Sequence, residues 1–190
     1  MKKLLREHFE KIIALTDSEF DYIYDHFVFK KIIKHQFLIQ QGDRVHNEYF
    51  VVKGCLKSYM IDSDDKAHIL QFALPDWWVS DYQALNNGSP STLYLDSVDG
   101  AEILSITMEN KDKLCAEMHK VEHFFRKKTN WGYVALQQRI LSLLNSNAKD
   151  RYEQLLKQYP ALFKTVPKQL LASYLGVTRE TLSRLYTPAK

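Results

Sequence analysis

A chain of 190 residues with 45% hydrophobic and 13% aromatic content has the apolar mass for a folded core, which excludes a disordered chain. Its apolar runs stop short of the ~20 residues that span a bilayer, and two cysteines, Cys55 and Cys115, give no disulfide framework. The net charge of +3 is uneven: residues 146–190 carry eight Lys/Arg against three Asp/Glu, the rest 18 against 20, so basic charge gathers where phosphate binding would use it.

The N-terminus, MKKLLREHFEKIIALTD, breaks its apolar stretch with charges and is not a signal peptide. A cytoplasmic chain is expected. The segment reads as an amphipathic helix with Leu4, Leu5, Phe9, Ile12 and Ile13 on one side. A second helix over 18–27 follows, capped by Thr16 or Asp17. From Phe29 the period changes. Stretches 29–33, 36–39, 49–52, 56–61, 68–72, 93–98 and 101–106 are rich in β-branched and aromatic residues. Turn chemistry separates them, notably Gln41-Gly42-Asp43, Lys53-Gly54 and Asp99-Gly100. Strands at this spacing predict a compact antiparallel barrel or sandwich.

Residues 109–145 read as one long helix, with Met118, Val121, Phe125 and Gly132 near heptad spacing and Trp131 beside them. Large apolar residues on more than one side need two partners, the β domain and a second copy of the helix. Met118, Val121, Phe125 and Trp131 are therefore the expected dimer interface. His119-Lys120-Val121-Glu122-His123 matches H-x-x-E-H, two histidines one turn apart with a glutamate base. A catalytic zinc would also need a third ligand and an open position, and none can be named. No metal and no enzymatic activity are expected.

The stretch 167–190 reads as two short helices. Pro167 suits a first turn, and Leu170, Leu171, Tyr174 and Leu175 recur at helical spacing. Gly176 ends the first helix, Val177 plugs the corner and Thr178 caps the second. Leu182 and Leu185 point inward, Ala172 permits close crossing, and Arg179, Glu180, Thr181, Ser183 and Arg184 face out. This is a helix-turn-helix pattern. Arginine forks onto guanine and Glu180 can accept from cytosine; Thr178, Thr181 and the first-turn amides suit phosphates. Pro188 is expected to stop the second helix, with no long wing beyond it.

The run Gly176-Val177-Thr178-Arg179-Glu180-Thr181-Leu182-Ser183-Arg184 resembles the recognition-helix signature of the Crp/Fnr transcription regulators, with its R-E-T-x-x-R core at 179–184. The resemblance implies that Arg179, Glu180 and Arg184 read bases, while Lys168, Gln169, Thr178, Thr181 and Ser183 touch the phosphate backbone. Ile39-Gln40-Gln41-Gly42-Asp43 and the run from Tyr49 to Lys57 resemble the opening of a cyclic-nucleotide-binding β-roll. The fold implied is α+β. Residues 1–108 would form N-terminal helices and an antiparallel β-roll of double-stranded β-helix or jelly-roll type, 109–145 the dimerisation helix, and 146–190 a winged helix-turn-helix domain. The partners implied are a second copy of the chain, double-stranded DNA with a pseudo-palindromic operator, and RNA polymerase.

The pocket departs from the family's nucleotide binders, which use Gly-Glu and, about ten residues later, Arg before a small hydroxyl residue. Here Ser80-Asp81 and Ser91-Thr92 stand in those places, and no arginine lies between Arg44 and Arg126. A cyclic phosphate would lack its cation, so cyclic AMP is not the expected effector. Trp78, Ser80, Asp81, Ser91 and Thr92 are the expected lining of a site for an unidentified small molecule. An iron–sulfur cluster needs about four thiolates and no haem axial pair can be named, so neither cofactor is expected. The competing reading is a small-molecule-sensing β-roll whose output is protein contact.

Overall fold

A computed structural model describes residues 1–186, with side chains as far as Leu185. The helix stop expected at Pro188 lies outside the described residues. Helix α1 (Lys2–Glu10) buries Leu5 and Phe9, and α2 (Asp17–Tyr24) starts at a reciprocal capping box between Thr16 and Glu19. It stops short of the predicted end at 27, because Phe27 leaves the helical path to enter the core.

Six strands follow: β1 (Val28–Ile32), β2 (Phe37–Ile39), β3 (Asn47–Ile61), β4 (Ala67–Ala73), β5 (Trp78–Val79) and β6 (Tyr94–Thr107). They form one antiparallel sheet in the order β1-β6-β3-β4, with β2 added to β6 and β5 to β3. Short helix α3 (Tyr82–Asn87) sits between β5 and β6. Two predicted turns are not turns. Strands β3 and β6 run straight through Lys53-Gly54 and Asp99-Gly100, and the β3–β6 register slips between Val51 and Lys53 and again between Gly54 and Leu56. Those glycines serve bulges that curl the sheet. Gly54 has φ 86° and approaches the opposite strand so closely that a Cβ there would lie 2.1 Å from the Gly100 carbonyl oxygen.

The predicted single helix is two, α4 (Met108–Glu117) and α5 (His119–Asn145), broken at Met118, whose φ of −131° and ψ of 95° are extended. The break turns the first part of α5 onto the roll. Val121, Phe124 and Phe125 join Phe9, Phe20 and Phe50 in one buried cluster, and Met118 packs against its edge. The expected dimer interface is corrected accordingly: Val121 and Phe125 are buried within their own protomer. Trp131 remains exposed.

Four helices complete the described chain: α6 (Ala148–Gln158), α7 (Pro160–Thr165), α8 (Lys168–Leu175) and α9 (Arg179–Tyr186). Their apolar faces share a cluster with Ile69 and Phe72 on the outer face of the roll, through Leu171, Leu175 and Leu182 among others. Among the described residues no helix is long and apolar enough to cross a membrane.

Candidate functional site

Helices α8 and α9 form the expected pair. Gly176, at φ 67° and ψ 35°, ends α8 in the left-handed conformation, and the Val177 N–H closes the corner on the Ala172 carbonyl at 3.0 Å. Leu171, Ala172, Leu175 and Leu182 are buried at the crossing. The Thr178 hydroxyl accepts the Thr181 N–H at 3.2 Å, which makes it the cap of α9. Arg179, Glu180, Ser183 and Arg184 are exposed along α9, and Lys168 and Gln169 are exposed in the first turn of α8. Arg184 donates to the Thr181 hydroxyl at 3.2 Å. Hydrogen bonds from its own backbone N–H and the Thr178 hydroxyl hold the Glu180 carboxyl below its ordinary range, so it is an anionic acceptor. The arrangement offers forked donors, one carboxylate and hydroxyls on one exposed helix.

This pair is tied to the roll. The Arg139 guanidinium donates to the carbonyls of Ile69 in β4 and Tyr174 in α8, both at 3.0 Å, and lies 3.6 Å from the Tyr174 ring centre. The Ser173 hydroxyl donates to the Ala67 carbonyl. One α5 side chain thus bridges the sheet and the helix-turn-helix.

The site expected at Trp78, Ser80, Asp81, Ser91 and Thr92 is not assembled as a pocket. Asp81 caps α3 with one oxygen, which accepts the N–H groups of Gln83 and Ala84 at 3.0 and 3.1 Å. Its other oxygen accepts the Ser91 hydroxyl at 2.7 Å. Both residues are buried, the Ser80 hydroxyl donates to the Asn47 carbonyl at 2.8 Å, and Thr92 is exposed. Where a nucleotide would be clasped, an aspartate and a serine clasp each other. Trp78 belongs to a different contact: its indole N–H donates to His8 Nε2 at 2.9 Å, and His8 Nδ1–H donates to Asp76 at 2.7 Å. Burial holds the His8 imidazole below its usual pKa, against the pull of Asp76.

A second polar cluster escaped the sequence reading. Glu48 of β3 is fully buried, accepting Lys111 of α4 at 3.0 Å and the Tyr82 hydroxyl of α3 at 2.7 Å, and pairing with Lys128 of α5. Lys128 also lies 4.1 Å from the Trp78 ring centre. Burial pushes the Glu48 carboxyl up, but the two ammonium groups and the hydrogen bonds outweigh it and bring its pKa to about 2. Burial pulls Lys128 down to about 8 despite Glu48. The signal available was a carboxylate at the head of the apolar run Tyr49-Phe50-Val51-Val52, which demands partners once that strand is buried. Nothing local named those partners, because they lie 63 and 80 residues away.

The H-x-x-E-H stretch makes surface pairs. His123 Nδ1 lies 2.9 Å from Arg126, and Glu122 lies 3.5 Å from the same guanidinium. No group of three His, Cys, Asp or Glu that could hold a metal occurs among the described residues. Burial raises both thiols, Cys55 to about 12.

Comparison with known proteins agrees with this geometry. Residues 29–118 match the cyclic nucleotide-binding domain model. The chain is 28% identical over 185 residues to an anaerobic regulatory protein of Haemophilus influenzae, covering 90% of this chain and 71% of that one. It is 27% identical over 185 residues to the fumarate and nitrate reduction regulatory protein of Vibrio cholerae, covering 90% and 73%. In fold it is similar to FixK2 from Bradyrhizobium japonicum, with a TM-score of 0.72 at 19% identity over 84% of this chain and 82% of that one. The Thermus thermophilus catabolite activator protein gives 0.56 at 19% identity over 90% and 82%. The match over residues 29–118 makes the roll a cyclic-nucleotide-binding-type domain, and the similarity over 90% of this chain to anaerobic and to fumarate and nitrate reduction regulatory proteins supports a transcription regulator of the Crp/Fnr type.

Proposed function

We propose that the chain is a homodimeric, sequence-specific DNA-binding regulator that acts on a pseudo-palindromic operator. The observation that carries this is the outer face of α9, where Arg179, Glu180 and Arg184 stand exposed on a capped helix while Leu182 anchors its inner side. In this reading those three residues contact base edges, and Lys168, Gln169, Thr178, Thr181 and Ser183 contact phosphates.

The dimer rests on the second half of α5. Asn130, Tyr133, Gln137, Ile140 and Leu144 alternate at three- and four-residue spacing, and Val134 and Leu141 flank that line. Every one of them is exposed in the protomer. A second copy of the helix is the occupant that this spacing suits, and it replaces the face centred on Val121 and Phe125. Two such chains would present two recognition helices about one DNA turn, ~34 Å, apart. The effector in this reading is not cyclic AMP, because Asp81 spends its free oxygen on Ser91 and the sequence holds no arginine between Arg44 and Arg126. RNA polymerase is the further partner.

Selection from random palindromic half-sites at moderate salt tests the reading. It should enrich one motif, and Arg179→Ala should weaken binding to that motif by ~1–3 kcal/mol with no change in melting temperature. Binding that shows no sequence preference would refute it and leave protein contact as the output.

A further inference from the structure

A deep recess lies outside the roll's closed Asp81–Ser91 pair. It is a cleft of about 1260 Å³, walled by the roll on one side, α5 along its floor, and α6 and α8 on the other. Its floor residues Lys128, Gly132, Ala135 and Arg139 recur on the face of α5 away from the line Asn130, Tyr133, Gln137, Ile140 and Leu144, of which Tyr133 alone borders the cleft.

Two properties of the cleft stand out. All three tryptophans of the chain, Trp77, Trp78 and Trp131, border it. Its charge is one-sided: Lys111, Lys128, Arg139, Arg151 and Lys157 line it against a single carboxylate, Asp76, which His8 and Lys11 already hold. Behind the wall Glu48 faces both Lys111 and Lys128, so two ammonium groups share one carboxylate at a site where water is scarce. Their side chains are 16% and 14% exposed. A buried excess positive charge is costly unless an anion offsets it.

We propose that this cleft binds a small organic anion with a flat apolar body, its acidic group at Lys111 and Lys128 and its body among Trp78, Trp131 and Tyr82. The chemistry follows from the walls. Lysine is a compact point charge that takes a carboxylate or sulfonate without a fixed fork, and aromatic rings take a planar body by stacking. The site is separate from the nucleotide position of the roll. Because the cleft touches Leu70 and Gln71 of β4 as well as Tyr174 and Leu175 of α8, an occupant bears on both sides of the joint that Arg139 bridges. That link to DNA affinity rests on the function proposed above; the binding itself does not.

The test uses the full chain and the probe 8-anilinonaphthalene-1-sulfonate, with N-phenyl-1-naphthylamine as the matched neutral compound lacking the sulfonate. The sulfonate should bind one per chain with energy transfer from tryptophan. Lys128→Met and Trp131→Ala should each weaken it at least tenfold, and the neutral compound should bind at least tenfold more weakly than the sulfonate. Trp131 is exposed, so its variant keeps the test valid where Lys128→Met fails to fold. Equal binding of the neutral compound, unchanged affinity in Trp131→Ala, or no energy transfer overturns the proposal. Operator affinity is measured in the same samples. Loss of sulfonate binding with operator binding intact sinks the cleft alone, and the converse sinks the DNA reading alone.

Discussion

The two halves of α5 carry the same kinds of residue and bury them differently. In the first half Val121, Phe124 and Phe125 are sealed against α1 and the roll, and their neighbours on the opposite face are polar or charged. In the second half Val134, Ile140, Leu141 and Leu144 stand exposed, Leu144 at 73%. Apolar surface of this extent on one helix face marks an interaction site. Periodicity alone reports stripes of apolar residues without saying which neighbour covers each stripe. The first half holds the protomer together; the second is what a second protomer would use.

The sharpest way to break that comparison is to charge the second half. Ile140→Asp with Leu144→Asp should convert dimer to monomer in sedimentation equilibrium and cut operator affinity by at least a hundredfold, while the melting transition of the protomer stays cooperative. Truncating the first half should do the opposite. Phe124 is fully buried and stacks on Phe9 at 3.9 Å between ring centres; Phe124→Ala should cost about 3–5 kcal/mol in chemical denaturation and leave the dimerisation constant of the folded protein unchanged.

The ionic cluster where α5 meets the roll sharpens the comparison through pH. The Glu48 carboxyl falls from 4.5 to about 2 in the folded chain. A depressed carboxylate contributes stability that is complete above its unfolded value and is lost as pH falls through 4.5 toward 2. Melting temperature should therefore drop across that window, and Glu48→Gln should be less stable at neutral pH and flatter in acid. His8 adds a smaller loss at higher pH. Its imidazole is held neutral below the ordinary 6.5, so the unfolded chain binds the proton first and stability declines as pH falls below that value. The smallest effect belongs to Gly132, around which a Cβ would meet nothing within 4 Å. Gly132→Ala should gain about 1 kcal/mol of helix stability, seen as a modest rise in melting temperature.

What was legible in the sequence was local. The helix-turn-helix could be read because its glycine, its cap and its buried positions all fall within one short stretch, from Leu171 to Leu185. Strand positions were legible too, since alternation is a local signal. Their continuity was not, because a bulge glycine such as Gly54 or Gly100 has the same composition as a turn glycine and only the pairing strand distinguishes them. The lack of an arginine between Arg44 and Arg126 is visible in the sequence itself, but the closure of Asp81 on Ser91 needed coordinates. The partners of Glu48 and the cleft lay beyond sequence reading, as they join residues from β3, α3, α4 and α5.

The central claim is that two copies of α9, set by α5, read DNA together. It is tested most directly by fluorescence anisotropy on the selected operator and on versions with its half-sites moved apart by about 5 and about 10 base pairs, half a turn and a full turn. The account predicts at least tenfold weaker binding for the half-turn insertion, which places the two half-sites on opposite faces of the duplex. Equal affinity for all three would contradict it, because a protein that reads one half-site at a time has no memory of the spacing.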